Sequence, residues 1–542
     1  MRIYVFLSLL LISATHAAPK PNIVFILADD LGIGDVNCYG KERCLIETPN
    51  IDALAAGGLR FTDAHVNASV CGPTRRAIMT GRYNWRYGAT VNHGPWGFCG
   101  PRPNQEKSTL GKLLRRSGYR TGYVGKWHLG TIMQTLDGKT QGLTNVDFTK
   151  PLIYGPVQFG FDESFILPGS LDMYPYAFVR NNVWQGEITA QKGWSAFNRV
   201  GPAEKSFQDH EVLETFYGEA ESFINKQKKG RPFFLFLALT APHTPTSPGV
   251  KWQGKSKLGV YGDFVMEVDH SVGRVMSALK AKGLDENTLV MFTSDHGPAS
   301  YSGNILKATP GQIKLLEAKG HYSNGPHRGY KFSVYEGGLR VPLIARWPGV
   351  ISEGGSCDAL IGMNDLMATF AEIADEKMGD KEGADSISFA NLLRNPKAVG
   401  TRKNLIMKSV VSFVVRDGDW KLCVSPGSGI PANMENGVGA GNDPTPRVAW
   451  KAALGRVDGR VTEADLLKAP FVQLFNVTED PHEDNNLAAD QPEQVEEMVL
   501  LLKRQIQNGR STPGPKLEND KNVMIINAKD KRLPDFVRAR LK

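Results

Sequence analysis

Cysteine is scarce in this sequence: Cys38, Cys44, Cys71, Cys99, Cys357 and Cys423 are the only six in 542 residues. So few excludes a disulfide-built scaffold and leaves only a local Cys38–Cys44 pairing open. Beyond the first seventeen residues no apolar run is long enough to cross a bilayer, so no membrane-spanning helix is expected. There is no Lys/Arg block and no aromatic RNA-binding signature, so nucleic acid is not an expected partner. No internal repeat is visible. Charged residues are only 22% and hydrophobic residues 41%, which excludes a disordered chain.

The N-terminus is the first positive signal. "MRIYVFLSLLLISATHA" has a basic start, an apolar run and small residues at its end. It reads as a signal peptide, residues 1–17, cut after Ala17, and implies a secreted or periplasmic protein. The chain is too long for one ordinary domain. Its net charge of +8 suits an anionic partner, although simple solubility explains it equally well.

Short apolar runs alternate with amphipathic stretches. "PNIVFILADDLG" stops at Asp29 and Asp30, "TLVMFTSDHG" at Asp295 and His296, and "PFFLFLALTAPHTP" at His243. "GYRTGYVGKWHLG" carries Lys126 and His128 just past a β-like run. "NIDALAAGGLRF", "STLGKLLRRSGY" and "YGDFVMEVDHSVGRVMSALKAKG" have helical periodicity. The pattern predicts an α/β fold around a large, mainly parallel or mixed central β-sheet flanked by helices. Ligands of such sheets bind beyond the carboxyl ends of the strands. One polar residue ending a strand is commonplace, but four runs delivering charged or metal-capable groups to that end point to a site. Residues 131–202 and 300–326 lack periodicity and read as long loops. From residue 396 strand-like and helical stretches mix, predicting a smaller C-terminal α+β domain over 396–542 beside a main domain over 18–395.

"NASVCGPTRRAIMTGRY" predicts a helix with Pro73 in its first turn and Gly81 at its end. Cys71 then lies at a helix N-terminus beside Arg75 and Arg76, where anions are held. Three readings compete: a small buried cysteine, a thiolate nucleophile, or the precursor of a modified residue. A cysteine-phosphatase loop needs arginine six positions on, and that residue is Ala77. Asp29, Asp30 and Asp295 form an oxygen-rich set suited to a hard cation such as Ca²⁺ or Mg²⁺ at the rim of the sheet, with His296 shifting it slightly towards softer metals. Taken alone, Asp29 and Asp30 read first as a helix cap and turn.

Taken together these blocks resemble the type I, formylglycine-dependent sulfatases of the alkaline phosphatase superfamily, and most closely their arylsulfatase and N-acetylgalactosamine-6-sulfatase-like members. The family signature C-x-P-x-R followed by T-G-R is matched by Cys71-Gly72-Pro73-Thr74-Arg75 and Thr80-Gly81-Arg82. "GKWHLG", "APHTP", "SDHG" and "GYKFSVYEGGLRVPLIARWPG" follow in the family's order. The resemblance implies an alkaline phosphatase-like fold and a sulfuric ester hydrolase. It implies that a formylglycine-generating maturation enzyme converts Cys71 to formylglycine, whose hydrate attacks sulfur with one hydroxyl and expels sulfate with the other. It implies one Ca²⁺ held by Asp29, Asp30, residue 71, Asp295 and His296, the last being asparagine in many members. Arg75, Lys126 and Lys331 would neutralise the sulfate, His128 would act as base, and His243 with Lys331 would assist the departing oxygen.

The substrate implied is a sulfated glycan, 6-O-sulfated galactose or N-acetylgalactosamine, attacked from its end. The candidate residues that read it are Asp172, Tyr174, Tyr176 and His93, with His321 and His327 in the stretch before Lys331. The alternative is a phosphonate or phosphodiester hydrolase on the same fold, and a non-catalytic binding protein is the third reading. Asn67 and Asn476 stand in glycosylation sequons.

Overall fold

The structure, a computed structural model, describes residues 20–87, 96–101, 108–193, 198–302, 316–409, 412–429, 468–525 and 537. The expected signal peptide, His93 and residues 303–315 of the expected 300–326 loop lie outside these residues.

A ten-stranded mixed sheet organises the molecule. Its strands in chain order are β1 (Asn22–Asp29), β2 (Leu59–Phe61), β3 (Arg120–Lys126), β4 (Glu163–Leu167), β5 (Val179–Arg180), β6 (Val183–Trp184), β7 (Phe233–Pro242), β8 (Thr288–Ser294), β9 (Leu343–Arg346) and β10 (Gly355–Cys357). Their order across the sheet is β10-β2-β9-β8-β1-β7-β3-β4-β5-β6. The central five, β8-β1-β7-β3-β4, are parallel. Antiparallel pairing begins outside them, at β9 and β5.

Strands β1, β7 and β8 are largely apolar because both their faces are covered. Ile23, Phe25 and Leu27 of β1 enter one core, and Val24, Ile26 and Ala28 enter the other. Helices α1 (Pro49–Ala56), α4 (Val212–Asn225) and α5 (Val260–Ala281) cover the second face through Leu54, Phe216 and Phe264. The first face packs on α2 (Cys71–Thr80), α3 (Leu110–Arg116) and α6 (Leu366–Ile373), through Ile78, Leu113 and Phe370. The same core continues into a four-stranded antiparallel sheet, β11 (Asn404–Lys408), β12 (Phe413–Asp417), β13 (Trp420–Val424) and β14 (Val472–Asn476), and into α7 (Pro492–Asn508), through Val414, Leu422, Leu474 and Val499.

Several expectations need correction. Residues 131–202 are not all loop: β4, the last of the parallel strands, lies there, as do β5 and β6. "ESFIL" is too short, between Asp162 and Pro168, to show a period. Strand β11 was also not foreseen. Cys38 and Cys44 are both free thiols, and Cys44 donates to the Ile46 carbonyl. Asn67 is buried and exchanges hydrogen bonds with Asn364 in both directions, so that sequon has no room for a glycan.

Candidate active site

The carboxyl ends of four parallel neighbours converge. Between Leu27 and Asp29 the register of β1 slips, an irregularity of the kind that re-aims a side chain next to a site. Asp30 follows with φ 64°, a left-handed conformation that aspartate tolerates better than most residues. Its N–H donates to Asp295 Oδ1 (3.2 Å), and the Leu31 N–H donates to Ser294 Oγ (3.0 Å), tying the ends of β1 and β8 together. Lys126 ends β3 behind Gly125, where φ is 117° and a Cβ would lie 1.8 Å from the Ala238 carbonyl oxygen of β7. Only glycine allows that approach. His243 directly follows β7. Cys71 is the first residue of α2, which Gly81 closes at φ 59°. Lys331 is fixed by its own N–H to the Pro298 carbonyl (2.9 Å) and by the next N–H to the Ser69 carbonyl (2.8 Å).

The ion pairs form two interlocked sets. Lys126 Nζ lies 2.5 Å from Asp29 Oδ2, and Lys331 Nζ lies 2.8 Å from Asp30 Oδ1. The Arg75 guanidinium reaches Asp295 Oδ2 at 3.0 Å and Asp29 Oδ1 at 3.6 Å, and donates to the Lys126 carbonyl. All of these side chains are buried. Burial alone would raise the Cys71 thiol. Lys126, Lys331, His296 and a hydrogen bond with His128 overcome it and hold the thiol well below its ordinary range. The two histidines are driven apart. Burial lowers His128, helped by Lys126. His243 is raised, because Asp30, with Nε2 to Oδ2 at 3.7 Å, outweighs burial. One histidine shifted towards its neutral form and one towards its protonated form, both near the Cys71 position, would suit a base and an acid.

The donor set fits a hard cation. Asp29, Cys71, Asp295 and His296 offer ligand atoms within 4.8 Å of one another, as do Asp29, Asp30, Cys71 and His243. His296 Nδ1 lies 2.9 Å from the Gly297 carbonyl, which can only accept, so that nitrogen carries the proton. Against burial, Asp295, Cys71 and Asp30 push His296 up to about 9, so Nε2 also carries a proton, directed at Asp30 Oδ1 (3.2 Å), Asp295 Oδ1 (3.5 Å) and Cys71 Sγ (3.2 Å), and a bound cation would displace it. Burial and the neighbouring Asp29 push Asp295 up to about 7. Asp29 Oδ1 is buried with no hydrogen-bond donor. Crowded acceptors of this kind suit a divalent ion, with a carbonyl behind the histidine fixing its tautomer.

The structure thus gathers Cys71, Arg75, Lys126, His128, His243, Lys331, Asp29, Asp30, Asp295 and His296 in one place. Asp172 joins them, its Oδ1 3.9 Å from His243 Nδ1. Tyr174 packs against Phe98 at 5.2 Å between ring centres. Tyr176 is a packing residue rather than a substrate contact: its ring is buried and its hydroxyl donates to the Arg199 carbonyl. His321 is bonded to Asp35 (2.8 Å) beneath the loop after β1. His327 meets the Pro481 carbonyl, and burial pushes it down to about 3. Neither is part of the cluster. Two neighbours escaped the sequence reading: Arg199, paired with Asp172, and Tyr301, whose ring lies 5.9 Å from Lys331 Nζ. Both come from stretches without periodicity, and no motif marks them.

Two histidines, three cations and a metal-type donor set around a helix N-terminus suit the hydrolysis of esters of tetrahedral oxyanions. The pattern of the sulfatase family matches residues 21–376, and the chain belongs to that family. An N-acetylgalactosamine-6-O-sulfatase of Bacteroides thetaiotaomicron is 29% identical over 89% of this chain and 92% of the relative. The N-acetylgalactosamine-6-sulfatase of Canis lupus familiaris is 34% identical over 69% and 66%, and the steryl-sulfatase of Rattus norvegicus 33% over 70% and 71%. A solved protein described under the metabolism of multiple glycosaminoglycans by Bacteroides thetaiotaomicron superposes with a TM-score of 0.73, at 27% identity, over 90% of this chain and 99% of that one. The protein is a sulfuric ester hydrolase, and the phosphodiesterase and non-catalytic readings give way to it. Among the described residues no helix is long and apolar enough to cross a membrane.

Proposed function

We propose that this sulfatase is exported and removes 6-O-sulfate from terminal galactose or N-acetylgalactosamine of a glycan, using formylglycine at position 71 and one Ca²⁺. The observation that carries the reading is Cys71 at the start of a buried helix, amid Lys126, Lys331, Arg75 and two histidines, His128 and His243. Formylglycine, once hydrated, supplies two hydroxyls on one carbon, one to attack sulfur and one to release sulfate. The ion, held by Asp29, Asp30, Asp295, His296 and residue 71, supplies Lewis acidity towards sulfate oxygens. Lys126 and Lys331 draw in the anion. Arg75 holds Asp295 and Asp29 in place, and so orients the cation site as well as adding charge. His128 accepts a proton beside position 71, and His243 with Lys331 supplies one to the departing alcohol oxygen.

The names of the relatives support the 6-sulfated galacto substrate, and the N-terminal segment supports export. A maturation enzyme reading Cys71, Pro73 and Arg75 is the implied partner. Residues 18–395 are read as the catalytic domain and 396–542 as the smaller domain. Peptide mass spectrometry of enzyme from a maturation-competent host is expected to show an aldehyde in place of the Cys71 thiol. Cys71→Ser is expected to accumulate covalent sulfate and stop, because one hydroxyl cannot expel what it has bound. In a screen of defined sulfated sugars, galacto-configured 6-sulfates are expected to turn over. Activity confined to 2-O- or N-sulfated glucosamine would overturn the substrate assignment and leave the sulfatase chemistry intact.

A further inference from the structure

We propose that Arg199 is a specificity-determining positioning residue: it fixes Asp172 so that one carboxylate oxygen demands a hydrogen-bond donor on the alcohol that carries the sulfate. The inference rests on the carbohydrate reading above and adds what the site requires of the sugar.

The loop geometry shows how firmly the carboxylate is held. Arg199 Nη1 donates to Asp172 Oδ2 (2.9 Å) and to the Asp172 carbonyl (3.2 Å), and the Arg199 N–H reaches the same carbonyl (3.2 Å). Lys192 donates to the carbonyl of Leu171 (3.0 Å), and Tyr176 secures the Arg199 carbonyl (2.6 Å). Asp172 is only 3% exposed. Its second oxygen, Oδ1, has no hydrogen-bond partner. The side chain facing it, His243 through Nδ1 at 3.9 Å, directs that proton to the Thr244 carbonyl at 2.5 Å. Burial would raise this carboxyl, but His243, Lys126, Arg199 and Lys331 hold it below its usual range, so it is ionised and can only accept.

A buried acceptor left without a donor is costly, and binding that supplies the donor recovers the cost. The sulfate group cannot supply it, because its ester-bound oxygens are themselves acceptors and anionic. The donor has to come from the alcohol, as a hydroxyl or amide N–H near the sulfated carbon. Sugars carry such groups, whereas a simple phenol or sterol has none beside the ester. Arg199 sets this arrangement by holding Oδ2 and the Asp172 carbonyl, so that Oδ1 alone is left to accept from the alcohol. Truncating Arg199 frees the Asp172 side chain to turn away from the alcohol.

The test compares N-acetylgalactosamine 6-sulfate with 4-methylumbelliferyl sulfate in the mature holoenzyme. Arg199→Met is expected to lose about 100-fold or more in kcat/KM on the sugar, within the range seen when a buried polar partner goes unpaired. The same variant is expected to stay within about threefold of wild type on the aryl ester, a readout that a folding defect would move equally. Arg199→Lys should recover part of the sugar activity. Should Arg199→Met fold poorly, Asp172→Asn, of equal volume, is expected to lose more on the sugar than on the aryl ester. The double variant Asp172→Asn/Arg199→Met should lose little more than Asp172→Asn alone, because Arg199 acts through Asp172. Equal losses on both substrates, or fully additive losses in the double variant, overturn the role of Arg199 while sugar turnover by the wild type leaves the substrate reading standing. A wild type that cleaves the aryl ester and no sulfated sugar overturns both.

Discussion

Asp29 and Asp30 are adjacent in sequence yet serve different lysines, Lys126 and Lys331, from opposite sides of the Cys71 position. The sequence places these carboxylates at the sheet's rim, where removing one should leave the fold intact. The structure buries them: Asp29 is 0% exposed and faces two cations. Asp29→Ala would therefore strand Lys126 and disturb packing as well as chemistry, because an uncompensated buried charge is strongly destabilising. Asp29→Asn keeps the volume and an acceptor. It is expected to lower bound calcium, measured by elemental mass spectrometry, and to abolish turnover with a smaller fall in thermal midpoint than the alanine variant. Undiminished metal content and turnover would refute the ligand assignment.

At the level of elements, Gly125 and helix α5 carry separate predictions. Gly125→Ala would push a methyl into the Ala238 carbonyl of β7 and displace Lys126 from Asp29. It is expected to cost both activity and stability, seen as a loss of turnover together with a lower thermal midpoint. Helix α5 buries three carboxyls away from the site, Asp263, Glu267 and Asp269, and the last two are shifted up. Burial outweighs the Gly249 N–H at Glu267 and pushes it up to about 7; at Asp269 it outweighs the Ile51 and Asn50 donors and pushes it up to about 6. Each folded value lies above its unfolded one, so the stability they contribute is complete below pH 4 and lost as pH rises through 6 and 7. The thermal midpoint should therefore decline between pH 5 and 8 in the wild type. Glu267→Gln should flatten that decline, by an amount on the order of 3 kcal/mol at most. The long runs β1, β7 and β8 and helix α5 were legible because each is long enough to show a period or an unbroken apolar stretch. Strands β4 and β11 were not, because neither is joined to the next strand by a tight turn such as Gly418–Asp419, which marks the equally short β12 and β13. The site followed the same rule. Residues that end long strands, or belong to the C-x-P-x-R stretch, announced themselves, whereas Arg199 is placed by a tertiary contact with Asp172 that no local pattern encodes.

Across the whole molecule, the two sheets are held by buried charge as well as by a shared apolar core. Lys421 of β13 lies 2.9 Å from Glu336 and 2.8 Å from Glu483, and Glu336 also takes His65 and Arg340. Glu336 stands five residues beyond Lys331, so the C-terminal sheet braces the segment that carries a catalytic candidate. Lys421→Met would leave two buried carboxylates facing each other, and is expected to cost about 3–5 kcal/mol of stability by denaturant unfolding. A change within about 0.5 kcal/mol would show that the network is not needed to hold the sheets together. The burial of α2 also sets an order of events in the life of the chain. Cys71 is 3% exposed, and Pro73 and Arg75 lie equally deep in a formed helix, so a catalyst that must grip this stretch can do so only while it is still extended. Under the proposed conversion of Cys71, oxidation would have to precede the closing of the chain around it. Protein that has already folded with its thiol should stay a thiol when the maturation enzyme arrives late, whereas a short peptide spanning residues 67–83 should be converted.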